Sequence, residues 1–345
     1  MATANKSAWQ LFGTNFNTLV TIEEAIEQAH LNYEVEEAPM IRVSNDVIEN
    51  IKSGAENVTI PTTTENIITS HKVNFRTDNG KNLGVVGSGY GLVQNAKAFE
   101  FINFINEVSG QTPMIETAGA LGYGERIFIT CRLGDNVFLD KDDEIKNYVV
   151  FTNSMDGSGA VMAFFSPVRI ICQNTLNMAI KGAVNKIVFK HTKYVNERLN
   201  WEDKENRRKA LEVFSKGVKF TDTFVENMLQ LKGENLSKTE ITDLTNKLFL
   251  TSTQRTLVKQ NNNNYMNVEE ISTRTKNQIA AFNNALEFGV GQESYRGSKL
   301  WYLNGFTTYL QNTKNWKSDE DKFKSMQFGS AATKTQQVYD LLMAA

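Results

Sequence analysis

Apolar residues follow two different periods along this chain. Between His71 and Phe165 they alternate or run in short blocks, the spacing of strands, whereas beyond Asn196 they recur every three or four residues, the spacing of helices. His71-Lys72-Val73-Asn74-Phe75-Arg76 alternates, Asp78-Asn79-Gly80 reads as a turn, and Leu83-Gly84-Val85-Val86 resumes, which predicts a hairpin. Met114 to Ala120 and Arg126 to Arg132, joined through Gly122-Tyr123-Gly124, predict a second one. Tyr148 to Thr152 and Ala160 to Phe165, joined through Asp156-Gly157-Ser158-Gly159, predict a third. Pro167 is expected to interrupt that last strand or hold it to an edge, because it cannot donate to a ladder. Lys186 to Thr192 reads as a further strand.

Helical signals flank this block. Thr21 to Ala29 reads as a short acidic helix. Ala98, Phe101, Ile102, Ile105 and Val108 form one stripe, and Gly110 is placed to end it. Asn174 to Ile180 predicts a helix ended near Gly182, with Asn174 and Thr175 shaping its start. Leu211, Phe214, Val218, Val225 and Met228 make a longer stripe. Ser237 and Glu240 suit a capping box, with Leu236 and Ile241 as its hydrophobic staple. Asn261 to Asn264 reads as a loop, followed by helices from Val268 toward Phe288, around Leu300 to Leu310, and from Gln336 to Met343. The expected fold class is α+β: a mixed, mainly antiparallel sheet with packed helices, then an all-helical C-terminal region. The expected parts are an acidic N-terminal segment with a short helix (1–65), a sheet domain (66–196) and a helical region packed on it (197–345).

Composition narrows the function classes. With 345 residues and 41% hydrophobic side chains, the chain can bury a large core. No run approaches the ~20 apolar residues of a spanning helix, so no membrane partner is expected. Two cysteines, Cys131 and Cys172, cannot build a disulfide framework, which fits a reducing cytoplasm. The N-terminus lacks the apolar run of a signal peptide. A net charge of -2 excludes a uniformly basic coat, but the charges are segregated. Glu23, Glu24, Glu27, Glu34, Glu36, Glu37, Asp46, Glu49 and Glu56 face only Arg42 and Lys52 between Val20 and Ile60. Arg169, Lys181, Lys186, Lys190, Lys193 and Arg198 face only Glu197 between Phe165 and Asn200. Such a split predicts a polyanion site, or surfaces that join copies head to tail in a homo-oligomer larger than a dimer.

Catalytic patterns are sparse. The sequence has no G-x-x-x-x-G-K-[ST] loop, no H-E-x-x-H and no G-x-S-x-G, and its histidines and cysteines lack zinc spacing. No catalytic residue, metal or cofactor is therefore assigned. The glycines from Gly84 to Gly91 are expected to mark a bulge or a close backbone approach. Asp135, Glu144 and Lys146 form a short carboxylate-plus-lysine pattern that offers a metal-dependent nuclease as an alternative. The stronger pattern is cationic and aromatic: Arg169, Lys181, Lys186, Lys190 and Lys193 are the candidates for phosphate contacts, with Arg126, Arg132 and Tyr123 behind them. The arginines stand inside apolar strand runs, where a guanidinium needs an acidic partner or a phosphate. Single-stranded DNA is the expected partner, and an oligomeric interaction protein without nucleic-acid binding is the rival.

Five ordered motifs extend this reading. They are Gly84-Val85-Val86-Gly87-Ser88-Gly89-Tyr90 with Gln94-Asn95; Thr117 to Leu121; Thr152-Asn153-Ser154-Met155-Asp156-Gly157-Ser158; Pro167 to Leu176 with His191-Thr192; and Arg296 to Tyr309. Together they resemble the phage/plasmid-like protein family catalogued as domain of unknown function 932, over roughly Asn66 to Asn312. The last motif departs from the family ending at Leu310-Gln311-Asn312. The resemblance implies a mobile-element or bacteriophage origin and a cytoplasmic protein, and it supplies no reaction. The order of elements is similar, by fold analogy, to phage single-strand annealing proteins, which implies a curved antiparallel sheet with a basic groove.

Overall fold

The strand-period half of the chain forms two antiparallel sheets in the computed structural model, which describes residues 9–60, 63–109, 114–132, 137–140, 143–169, 174–175, 186–200, 202–289 and 292–344. The strands are β1 (Thr14–Asn15), β2 (Val35–Ile41), β3 (Ile67–Arg76), β4 (Asn82–Gly87), β5 (Met114–Leu121), β6 (Arg126–Arg132), β7 (Val137–Asp140), β8 (Asp143–Ser154), β9 (Val161–Arg169), β10 (Asn174–Thr175) and β11 (Lys186–Phe189). The large sheet runs β1-β5-β6-β8-β9-β10, with β7 paired to β8 and β11 to β9; the small one runs β2-β3-β4. The three expected hairpins are all present.

One local expectation holds in its second form, a proline at an edge, and one is corrected. β9 continues through Pro167 to Arg169. Among the described residues β11 pairs with Val161 to Phe164 and β10 with Val168 and Arg169, which leaves Pro167 on a local edge where its missing donor is tolerated. Asn174 and Thr175 do not start a helix: as β10 they pair with Arg169 and Val168, so their backbone groups serve a ladder. The remainder of that expected helix, with Lys181, lies outside the described residues.

Each face of the large sheet is covered differently. One face packs on α1 (Ile22–Gln28), α3 (Asn95–Ser109) and α5 (Lys204–Gly233). Its alternating residues Ile127, Ile129, Cys131, Ile145, Val149 and Phe151 enter the main core with Phe99, Ile102, Phe220 and Phe224. The other face carries Phe128, Tyr148, Val150 and Phe164, and is closed by Trp9 and Phe323. The Trp9 ring lies 5.1 Å from Phe128 and 4.9 Å from Phe323, so the two ends of the described chain meet on this face.

The C-terminal half is helical as its period predicts. It comprises α4 (Val195–Arg198), α5, α6 (Lys238–Phe249), α7 (Ser252–Gln260), α8 (Thr273–Phe288), α9 (Lys299–Thr308), α10 (Asp319–Phe328) and α11 (Ser330–Ala344). Asp203 caps α5 by accepting from Glu205 and Asn206, and Ser237 with Glu240 forms the expected capping box on α6. Leu211 is exposed, Phe220, Phe224, Met228 and Leu231 are buried, and the Phe214 and Val218 side chains of the expected stripe lie outside the described residues. α8 begins five residues later than the pattern suggests, because Val268 packs with Leu250, Val258, Ile271 and Ile279 before the Ser272 cap. The helix α2 (Asn45–Lys52) was not visible in the sequence pattern. β2, from the acidic N-terminal part, pairs with β3 across the expected boundary after residue 65.

Candidate functional site

Three of the five motifs meet where the small sheet joins the large one. Tyr90 follows β4 and stacks on His191, with ring centroids 4.5 Å apart and planes 10° from parallel. The Tyr90 hydroxyl donates to the Ser154 carbonyl at 2.6 Å, and His191 Nδ1 lies 2.8 Å from the Gly91 carbonyl. A carbonyl can only accept, so Nδ1 carries the imidazole proton. Asp156 accepts from the Ser154 hydroxyl at 2.5 Å, from the Ser158 hydroxyl at 2.6 Å and from the Ser158 N–H at 2.9 Å.

The glycines explain why the chain can close here. A Cβ on Gly84 would stand 2.5 Å from the Asp156 Cα, and one on Gly91 would collide with the Thr192 carbonyl oxygen. Both are close backbone approaches, as the glycine spacing predicts. Gly157 takes a positive φ of 76° in the β8–β9 turn, a conformation that glycine adopts without a Cβ penalty.

Burial raises the Tyr90 pKa, and Asp156 adds to the effect. Burial lowers that of His191, with the Gly91 carbonyl and Asp156 opposing. Burial also disfavours the Asp156 anion, but the Ser154 and Ser158 hydrogen bonds outweigh it and hold the carboxyl below its ordinary range. This arrangement is a clasp. Its hydroxyls and carboxylate are hydrogen-bonded to one another, and among the described residues no three His, Cys, Asp or Glu side chains gather to hold a metal.

Two grooves flank the clasp. The first, about 520 Å³, runs between β11 and the start of α5 and is lined by Ile187, Val188, Phe189, Lys190, Arg198, Asn206 and Lys209. Strand alternation turns Ile187 and Phe189 toward the core and leaves Lys186, Val188 and Lys190 exposed. Among the described residues that line this groove, three are cations and none is a carboxylate, although Lys209 Nζ stands 3.5 Å from Glu205 outside the lining. The second, about 830 Å³, lies between β2 and the turn after β4; Glu36, Glu37, Lys72, Tyr90 and Lys193 are among its residues. There Lys72 pairs with Glu37 at 2.7 Å, and Lys193 of the basic segment lines the same groove as Glu36 and Glu37 of the acidic one.

The candidates from the sequence separate accordingly. Lys186 and Lys190 stand exposed on and just beyond β11, and Lys193 lies on the second groove, with its Nζ 6.0 Å from the ring of the exposed Tyr194. Arg126 donates to the Ser158 hydroxyl at 3.0 Å and lies 4.2 Å above the Phe328 ring, which supplies partners without a phosphate. Arg132 stands opposite Tyr148, near the buried Glu116 that accepts from the Tyr148 hydroxyl. Tyr123 is exposed in the β5–β6 turn, under Lys81. These three line neither groove. Arg169 ends β9 opposite Ile145 and Asn174; its side chain, like all of Lys181, lies outside the described residues.

For the nuclease alternative, Glu144 and Lys146 share one face of β8, while Asp135 lies outside the described residues. Lys146 Nζ stands 4.0 Å from Glu116, a carboxylate the sequence pattern did not include. Lys209 and Asn206 were also missed, because only the turn of chain between β11 and α5 brings them opposite Lys190.

From Ser298 onward the Arg296 to Tyr309 motif is core, while Arg296 itself is exposed and pairs with Glu287. Every residue of α9 is buried, Ser298 caps it at Trp301, and Lys299 pairs with Glu234. The helix leaves through a π-helical turn at Tyr309–Thr313, the same place where the sequence departs from the family ending.

No curated protein and no solved structure matches the chain. Residues 82–332 do match a family, and that span takes in the clasp, the basic residues of the β11–α5 groove and the buried α9. The chain therefore belongs to the family described as a domain of unknown function (DUF932).

Proposed function

We propose that this protein binds single-stranded nucleic acid along the groove between β11 and α5, in the replication or recombination of a phage or other mobile element. The observation that carries the proposal is the groove's lining: Lys190, Arg198 and Lys209 with Ile187, Val188 and Phe189, Lys186 beside it, and no carboxylate among the described lining residues. A strand's phosphates need such a row of cations, and its bases need an exposed ring to stack on. Phe189 lines the groove, and Tyr194, 54% exposed beside Lys193, is an exposed ring outside its lining, four residues beyond Lys190. No chemistry on the strand is part of the proposal, because the polar clasp next to the groove is closed on itself.

Titration of labelled single-stranded DNA at several salt concentrations, with and without Mg²⁺, tests it. Binding without cleavage is expected, with log affinity falling against log salt by about 0.7 for each phosphate neutralised. Binding that is absent at low salt, or indifferent to salt, would overturn the proposal. Product formed only with Mg²⁺ would instead favour the nuclease, and Glu144→Ala should then abolish it.

A further inference from the structure

The helix α2 is amphipathic yet has no fully buried residue: Val47 and Ile48 are half-buried and Ile51 is exposed. Val47, Ile48 and Ile51 occupy one side at helical spacing, and Ile51 is 52% exposed. An isolated helix of fewer than about 12–15 residues is marginal in water and needs packing on its apolar side. α2 has eight residues, and its Ser44 cap makes no side-chain hydrogen bond. Around the apolar side stand Asp46 and Glu49, which form no ion pair among the described residues.

The groove between β11 and α5 is complementary in both respects. Its described lining includes Val188, 42% exposed, Ile187 and Phe189 on the core side of β11, and the cations Lys190, Arg198 and Lys209, the last 3.5 Å from Glu205. Within one chain α2 does not line this groove. We infer that α2 of one copy docks into the β11–α5 groove of a second copy. The apolar side of the helix would cover Val188, and its carboxylates would meet the cations of the rim, an amphipathic helix seated in a groove. The two surfaces differ, so the contact is head-to-tail and propagates into a ring or a filament. The docking rests on these two surfaces alone. Its competition with a nucleic-acid strand for the same cations rests also on the function proposed above.

Light scattering on the full chain and two variants tests the docking. Wild type is expected well above 38.9 kDa at low salt and to fall toward that mass at high salt. Ile51→Asp disables the helix, and Lys190→Glu with Lys209→Glu disables the groove; all three positions are exposed, so circular dichroism should report unchanged folding. Each variant alone is expected to be a monomer, but an equimolar mixture keeps one intact helix and one intact groove and should form a dimer and nothing larger. A monomeric wild type, a variant that retains the wild-type mass, or a mixture that stays monomeric overturns the inference.

Single-stranded DNA separates the two ideas. Ile51→Asp should bind it about tenfold more tightly than assembled wild type, if the docked helix occupies nine grooves in ten. The expected masses with no DNA binding by any form would sustain the docking and defeat the nucleic-acid function. Equal affinity of Ile51→Asp and assembled wild type would defeat the shared groove.

Discussion

Tyr90 and His191 stack face to face with their ring centres 4.5 Å apart, and in doing so pin the turn after β4 to the segment that follows β11. The isolated bridge between Tyr90 and Thr192 and the His191–Gly91 hydrogen bond act across the same junction. The groove cations at Lys190 and Lys193 are therefore held from one side by a neutral, buried ring.

That ring gives stability a definite pH dependence. Burial lowers the His191 pKa below its ordinary 6.5, so the unfolded chain takes up a proton where the folded chain does not. Stability then rises with pH: this contribution is complete above about pH 6.5 and is lost as pH falls toward the lowered value. Melting temperature measured from pH 8 down to pH 5 should decline, and His191→Phe, which keeps a ring but cannot titrate, should flatten the decline. An equal slope in both proteins would detach the effect from His191.

The glycines around the clasp should respond oppositely to alanine. Gly91→Ala drives a Cβ into the Thr192 carbonyl, an overpacking expected to cost about 1–3 kcal/mol. Gly89 faces open space at an ordinary φ, so Gly89→Ala should be neutral or should stabilise by about 0.4–1 kcal/mol through the unfolded chain. Urea unfolding of the pair measures the contrast; equal midpoints would contradict it.

On the far face of the large sheet, Trp9 is 1% exposed against Phe128, Phe164, Phe323 and Phe328. Trp9→Ala should cost about 3–5 kcal/mol, the range for a large aromatic removed from a packed site. A loss below 1 kcal/mol in denaturant titration would show that the N-terminal turn adds little to closing this face.

Within the groove, charge removal should read out in salt dependence. Lys190→Ala and Arg198→Ala are each expected to reduce the slope of log affinity against log salt by about 0.7. Arg126→Ala should leave the slope unchanged and lower the melting temperature, because its guanidinium is engaged by Ser158 and Phe328. A slope change at Arg126 equal to that at Lys190 would extend the interface to β6.

Short-range chemistry was legible from residue order alone. Alternation in β3, β5, β6 and β8, turn glycines at 122 and 157, and the Ser237–Glu240 box are decided by residues within a few positions of each other. The α+β class and the need for glycine at 84 and 91 followed from the same local rules. Tertiary structure decided the rest. Pairing alone shows that Pro167 falls in the gap between β10 and β11, and that Asn174 serves a strand. Packing alone supplies Arg126 with Ser158 and Phe328, residues 32 and 202 positions away. It likewise sets Lys209 beside Lys190 and leaves Ile51 of α2 exposed, because which face meets a partner depends on elements distant in sequence whose approach no local period encodes.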